Sequence, residues 1–158
     1  MAYTTSDAYC SVGDVESRVA RGTFSTTTAP TLQQVTDFMA LRGAEVSTRA
    51  RDAGLVISPA SGTSPISTTT DDGKALERLA RLANELLAAG DAIAAHESRD
   101  SAEIPSGATQ LWELGKKALD AIATQVALMS TLGAGIAPKG FTEEKAIDTL
   151  LHHATMEF

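Results

Sequence analysis

Aromatic side chains are scarce in this chain. Phe, Tyr and Trp make up 4% of 158 residues, and Trp112 is the single tryptophan. Without large rings, a core has to be assembled from Leu, Ile, Val, Met and a great deal of Ala. Ala lets helices approach closely but buries little area per residue. A core that thin points to neighbouring subunits as a further source of burial. Cysteine is nearly absent as well. Cys10 stands alone, which excludes an internal disulfide and a thiolate metal cluster and is compatible with a reducing cytoplasm. Basic residues are outnumbered, 13 against 20 acidic, for a net charge of −7. That balance argues against a nucleic-acid-binding module, which needs a basic face to displace phosphate counterions. No apolar run approaches the roughly 20 residues of a membrane span. The first residues lack the charged and apolar regions of a signal peptide. The expectation is a soluble, unsecreted protein of one domain, since a domain usually has roughly 100–150 residues.

What is present is helical patterning. Residues 1–10 read as an extended polar arm. Ser11 caps a first helix over 11–21, with Asp14 in the reciprocal position, and Val12, Val15 and Val19 fall on one face. Residues 23–30 are a Thr/Ser/Pro loop in which Phe24 is the one large apolar group, an anchor to the core. Thr31 and Gln34 form a capping box for a second helix over 31–53, with Leu32, Val35, Phe38 and Met39 on its apolar stripe. Gly54 fits the position just past its end. Leu55–Ile57 reads as a brief extended contact, and 58–70 as a Ser/Thr/Pro loop. A third helix over 72–97 carries Leu76, Leu79, Leu86 and Ile93. Gly90 inside it costs about 1 kcal/mol against Ala, tolerable if another helix packs closely there. A fourth helix over 106–132 carries Leu111, Leu114, Ile122 and Val126, with Trp112 at the edge of the stripe. The pattern is all-α: a compact bundle of about four helices over 11–132, an arm before it, and a hinge and docking segment over 133–158. The expected core is Val15, Val19, Leu32, Val35, Phe38, Leu76, Leu79, Leu86, Leu111, Leu114, Ile122 and Val126.

Candidate chemistry is thin. Gly135 and Gly140 have phosphate-loop spacing, but Phe141-Thr142 follows where Lys-Ser/Thr is required. His152, His153 and Glu157 include metal-ligand types, yet adjacent helix residues do not converge. Asp14 and Glu16 are ordinary acids in the first turn of a helix. Cys10 lies in a polar stretch without a nearby cation in sequence to activate it. No cofactor, metal site or catalytic set is expected, and the chain does not read as an enzyme. Arg42, Arg49 and Arg51 stand out on the second helix, with Arg42 and Arg49 seven apart on one face. They are either a solvated face or an acid-pairing surface.

One ordered series carries a resemblance. It consists of Val-Gly-Asp-Val-Glu-Ser-Arg-Val at 12–19, then Gly22-Thr23-Phe24, and then Thr31-Leu32-Gln33-Gln34-Val35, opening a long helix that stops at Gly54. In that order the chain resembles the head–tail connector (adaptor) proteins of tailed bacteriophages. The resemblance implies a structural subunit that forms a ring of about twelve copies under the portal. The ring would extend the DNA channel without sequence-specific binding and offer a platform to a downstream neck or tail protein. Its place would be the neck of the virion, after synthesis in the host cytoplasm. The partners implied are the portal protein and copies of the chain itself. The expected interface residues are Arg42, Arg49 and Arg51, together with Ile136, Phe141, Ile147, Leu150, Leu151, Met156 and Phe158 of the docking segment. The competing reading is a small helical regulatory module acting through one protein partner.

Overall fold

A computed structural model describes residues 7–19, 23–57, 59, 71–97 and 105–133. Among the described residues there are four helices and no strand: α1 (Val12–Arg18), α2 (Leu32–Asp52), α3 (Asp71–Glu97) and α4 (Ser106–Gly133). The all-α expectation holds.

Local chemistry sets the helix starts. Ser11 accepts from the Asp14 N–H, and Asp14 Oδ2 accepts from the Ser11 N–H at 2.8 Å. Thr31 and Gln34 make the same reciprocal pair at the start of α2. Each box satisfies amide donors that a helix start would otherwise leave open. The end of α2 is equally explicit. Gly54 has φ +102°, its N–H reaches the Arg51 carbonyl, and the Leu55 N–H reaches the Ala50 carbonyl, both at 2.9 Å. This double closure uses the left-handed conformation that glycine adopts without steric cost. Helix α1 is shorter than the expected 11–21. Val19 turns to extended geometry, with φ −100° and ψ 101°, and its branched side chain is buried.

Helix α3 is the centre. Its residues from Ala83 through Gly90 are all buried, because α1, α2 and α4 each pack on it. Ala80, Ala83, Ala88, Ala89 and Ala92 are almost wholly enclosed. Small side chains therefore let one helix serve three neighbours. Asp72 meets Gln125 near one end of the α3–α4 pair and Asp91 meets Trp112 near the other, so the two run antiparallel. The contact is close. A Cβ on Gly115 would stand 2.6 Å from Leu87 Cγ, so Leu87 occupies the space that glycine leaves.

The core has two parts. One joins Val46, Ala50 and Ile57 to Leu76, Leu79, Leu87, Ile122 and Val126. The other joins Val15, Val19, Val35 and Met39 to Ala88, Ala89 and Ala92. Most of the expected core residues are in place, with four corrections. Leu32 is 38% exposed, since it opens α2 at the margin of the bundle. Phe38, Leu111 and Leu114 are partly buried rather than enclosed. Met39, Val46, Leu87 and Leu119 are buried core residues that the expected list lacks.

Two loops behave as their sequences indicate. Phe24 packs against the second core part, and its N–H donates to Glu16 Oε1 at 2.7 Å. After α2, Ile57 is buried and Val56 is 64% exposed, the alternation of extended chain. The N-terminal stretch departs from expectation. Residues 7–10 are not a polar arm: Ala8 and Cys10 are buried against α1, α2 and α3. The expected loop over 58–70, apart from Pro59, and the docking segment beyond Gly133 lie outside the described residues.

Candidate functional site

Three polar constellations hold the bundle, and each begins with a residue that its helix pattern would not require. The first is built on Asp91 of α3. Arg42 of α2 donates to it through Nε at 2.7 Å and Nη2 at 2.8 Å, a two-point fork. Trp112 of α4 donates its indole N–H to the same carboxylate at 3.0 Å. Glu45 takes the remaining arm of Arg42 at 2.8 Å. One carboxylate thus ties α2 and α4 to α3. The hydrogen bonds from Arg42 to Asp91, opposed by partial burial and helped by Glu45, push the guanidinium pKa up, so Arg42 is permanently charged. Planar fork-to-carboxylate pairing of this kind is the geometry arginine serves best.

The second is Asn84, fully buried on α3. Its amide nitrogen donates to the Met39 carbonyl of α2 at 2.9 Å, and its oxygen accepts the Tyr9 N–H at 2.7 Å. Among the described residues no buried side-chain polar atom is left without a partner. Buried polar groups stay in a core when satisfied in this way. The Tyr9 hydroxyl lies 2.8 Å from Ser47 Oγ. Burial raises the phenol pKa more than that bond lowers it, so the hydroxyl remains protonated.

The third ties α1 to α3. Arg18 pairs with Glu85, which is 8% exposed. Arg81 pairs with Asp14, its Nε lying 3.2 Å from Oδ2. Burial alone would raise the Asp14 pKa. The bonds from Arg81 and from the Ser11 amide and hydroxyl outweigh it and hold the carboxyl below its ordinary value.

An open groove of about 560 Å³ runs between α2 and α4, lined by Glu45, Thr48, Arg49, Asp52, Lys116, Leu119 and Asp120. Arg49 crosses it to Asp120 at 2.6 Å. Both side chains are substantially exposed, so solvent screens the pair and its contribution to stability is small. The groove carries both charge signs.

The expected site residues therefore separate. Arg42 is taken up by the Asp91 fork inside the protomer. Arg49 is on the α2–α4 groove. Arg51 is exposed at the end of α2. The expected shared face of Arg42 and Arg49 is thus divided between an internal fork and an open surface. Ile136, Phe141, Ile147, Leu150, Leu151, Met156 and Phe158 lie outside the described residues, as do His152, His153 and Glu157. Cys10 is enclosed. Burial, then the nearby Asp14 and Glu85 carboxylates, push its thiol up to about 12, so it is protonated and inert at neutral pH. Among the described residues no three His, Cys, Asp or Glu side chains gather closely enough to hold a metal ion. No described helix is long and apolar enough to cross a membrane.

Sequence reasoning missed Asn84 and Asp91. Asn84 carried a signal: it falls on the same helical face as Ala80 and Leu87, a polar side chain on an apolar stripe. Asp91 carried none, because a single acid in the second half of a long helix does not disclose its partners on other helices. Compared with protein-family models, with curated proteins and with solved structures, the chain matches none. The fold and the side chains described define an all-α bundle whose α2, α3 and α4 are locked together by internal polar pairs, with a mixed-charge groove on its surface.

Proposed function

We propose that this chain is a structural head–tail connector (adaptor) subunit of a tailed bacteriophage, acting by assembly rather than catalysis. The observation that carries the reading is the ordered series over 12–54: short acidic helix, Gly-x-Phe loop, capped long helix, terminal glycine. What supports it further is that each signal in the series has a physical task. Ser11 and Thr31 cap, Phe24 anchors the loop, and Gly54 stops α2. The series is thus a specification of architecture, which is what a resemblance in packing order conveys.

On this reading about twelve copies close a ring by repeating one heterologous side contact. Arg51, exposed at the end of α2, and Arg49, whose exposed pair with Asp120 is readily exchanged, are the basic groups proposed to meet acids of a neighbour or of the portal. The segment 134–158, with Ile136, Phe141, Ile147, Leu150, Leu151, Met156 and Phe158, supplies the portal-docking element. On this reading the apolar side chains of that segment are buried against the portal on assembly. The net charge of −7 suits a channel that lets DNA slide without sticking. The ring then belongs to the neck of the virion and offers its far face to a tail protein.

The test mixes the full-length protein with purified portal rings encoded in the same genome. Co-sedimentation and a ring of added density by electron microscopy are expected. Removal of 134–158 is expected to leave the bundle folded and abolish the association. A protein that stays monomeric and never joins portal rings, yet forms a one-to-one complex with another protein, would establish the regulatory module instead.

A further inference from the structure

We propose that residues 7–10 are a latch, closing over α2 and α3 at Gly43 and Asn84 and opening while the bundle remains folded. The inference rests on intrachain geometry and stands apart from the adaptor reading. Its first ground is Gly43. Glycine inside a helix is unfavourable by about 1 kcal/mol against Ala, and α2 by itself gains nothing from it. A Cβ at position 43 would stand 2.9 Å from the Asp7 carbonyl oxygen and 3.4 Å from Ala8 Cα. Position 43 is bare because the incoming backbone lies directly on the helix there.

The second ground is how the latch is held. Tyr9 fixes it through its N–H to Asn84 and its hydroxyl at Ser47. Ala8 and Cys10 bury small side chains, each with far less apolar area than a leucine. The α3–α4 contact, with Leu87 seated at Gly115, does not involve the latch. The third ground is what opening leaves behind. Asn84 keeps its bond to the Met39 carbonyl, and the oxygen released by Tyr9 becomes accessible to water. The Asn84 amide is thus not stranded, so opening avoids the main penalty for breaking that internal hydrogen bond. The half-buried Tyr9 ring rests against the first core part and is the one large apolar group the segment withdraws; segments otherwise built on small side chains open at lower free energy than the core. Cys10 reports the state directly. Closed, its thiol is enclosed and protonated at neutral pH; open, it reverts to ordinary reactivity.

The experiment follows maleimide labelling of the single thiol in the full-length protein, with far-ultraviolet circular dichroism and urea unfolding in parallel. The wild type is expected to label slowly, at a rate much less sensitive to urea than global unfolding. Gly43→Ala puts a Cβ beneath the latch and is expected to speed labelling about ten- to a hundredfold, the range for an overpacked contact, with helical signal and urea midpoint retained. Tyr9→Phe removes the Ser47 bond and is expected to speed it about fivefold, the worth of one hydrogen bond. Three outcomes overturn the latch. They are a wild-type rate with the full urea sensitivity of global unfolding, labelling unchanged in both variants, or loss of the helical signal in Gly43→Ala.

Discussion

Replacing Gly90 by Ala sets helix propensity against packing, and the two predict opposite signs. In an isolated helix the change stabilises by about 1 kcal/mol. In this protein a Cβ at 90 would stand 2.5 Å from Trp112 Cδ1, 2.6 Å from its Nε1 and 3.2 Å from the Ala108 carbonyl oxygen. The indole is rigid and its N–H is held by Asp91, so no flexible end gives way. If the ring swings out, a hydrogen bond to a charged acceptor is lost, a cost of about 1.5–3 kcal/mol. If α4 shifts instead, overpacking costs about 1–3 kcal/mol. After the propensity gain, the expected net loss is up to about 2 kcal/mol. That lowers the urea midpoint by up to about 1 M for a typical denaturant slope. The midpoint should be followed by far-ultraviolet circular dichroism, because the emission of the sole tryptophan changes in the native state and reports the ring separately. The double variant Gly90→Ala/Trp112→Ala should cost less than the sum of its parts, since the clash is then gone. A raised midpoint for Gly90→Ala alone would refute the reasoning, because propensity would then have outweighed the α3–α4 contact.

Three more outcomes are expected. Leu79→Ala, at a site 7% exposed, should cost about 2–5 kcal/mol, whereas Leu114→Ala, at a half-buried site, should cost clearly less. Equal losses by urea unfolding would contradict this burial. Asp91→Ala removes both bonds of Arg42 to α3 and the Trp112 acceptor, and should cost about 2–3 kcal/mol, below the range for a fully buried pair because Arg42 keeps Glu45 and some water. A loss under about 0.5 kcal/mol would mean the fork is not a structural tie. Asp14 has a folded pKa below its ordinary 3.8, so its contribution is complete above that value and is lost as pH falls through the lower, folded one. Asp14→Asn keeps an acceptor for Ser11 but removes the charge. Its urea midpoint should lie below wild type at pH 7 and converge with it in strong acid, and a gap constant with pH would rule out the ion pair as the cause.

Local signals were enough to set much of the fold. The two capping boxes, the glycine stop at 54 and the apolar stripes of α2, α3 and α4 are short-range chemistry, complete within a few residues of one another. They can be read from the sequence because each donor and its acceptor lie within a single helical turn. The same holds for Val15 and Val19, whose spacing alone puts them on one face. The resemblance over 12–54 is of this kind too, a series of local signals in order.

Tertiary structure decided the rest, because the deciding partners lie far apart in the chain. Asn84 looks like a helix interruption until Tyr9 and Met39 are brought to its two ends. Arg42 could equally face a neighbour or this protomer, and only the placement of Asp91 turns it inward. Gly90 inside its helix points to a close helix contact, but only the fold shows that the contact is an indole, and that Gly43 makes room for a passing backbone. Ala8 and Cys10 belong to a stretch that is polar in pattern yet are themselves buried, and Ala8 is small enough to lie where α2 is bare at Gly43. Periodicity records which side of a helix is apolar. Which polar group meets which, and at what distance, is set only when three helices and an N-terminal segment converge on α3, where a satisfied pair is stable and an unsatisfied one is not.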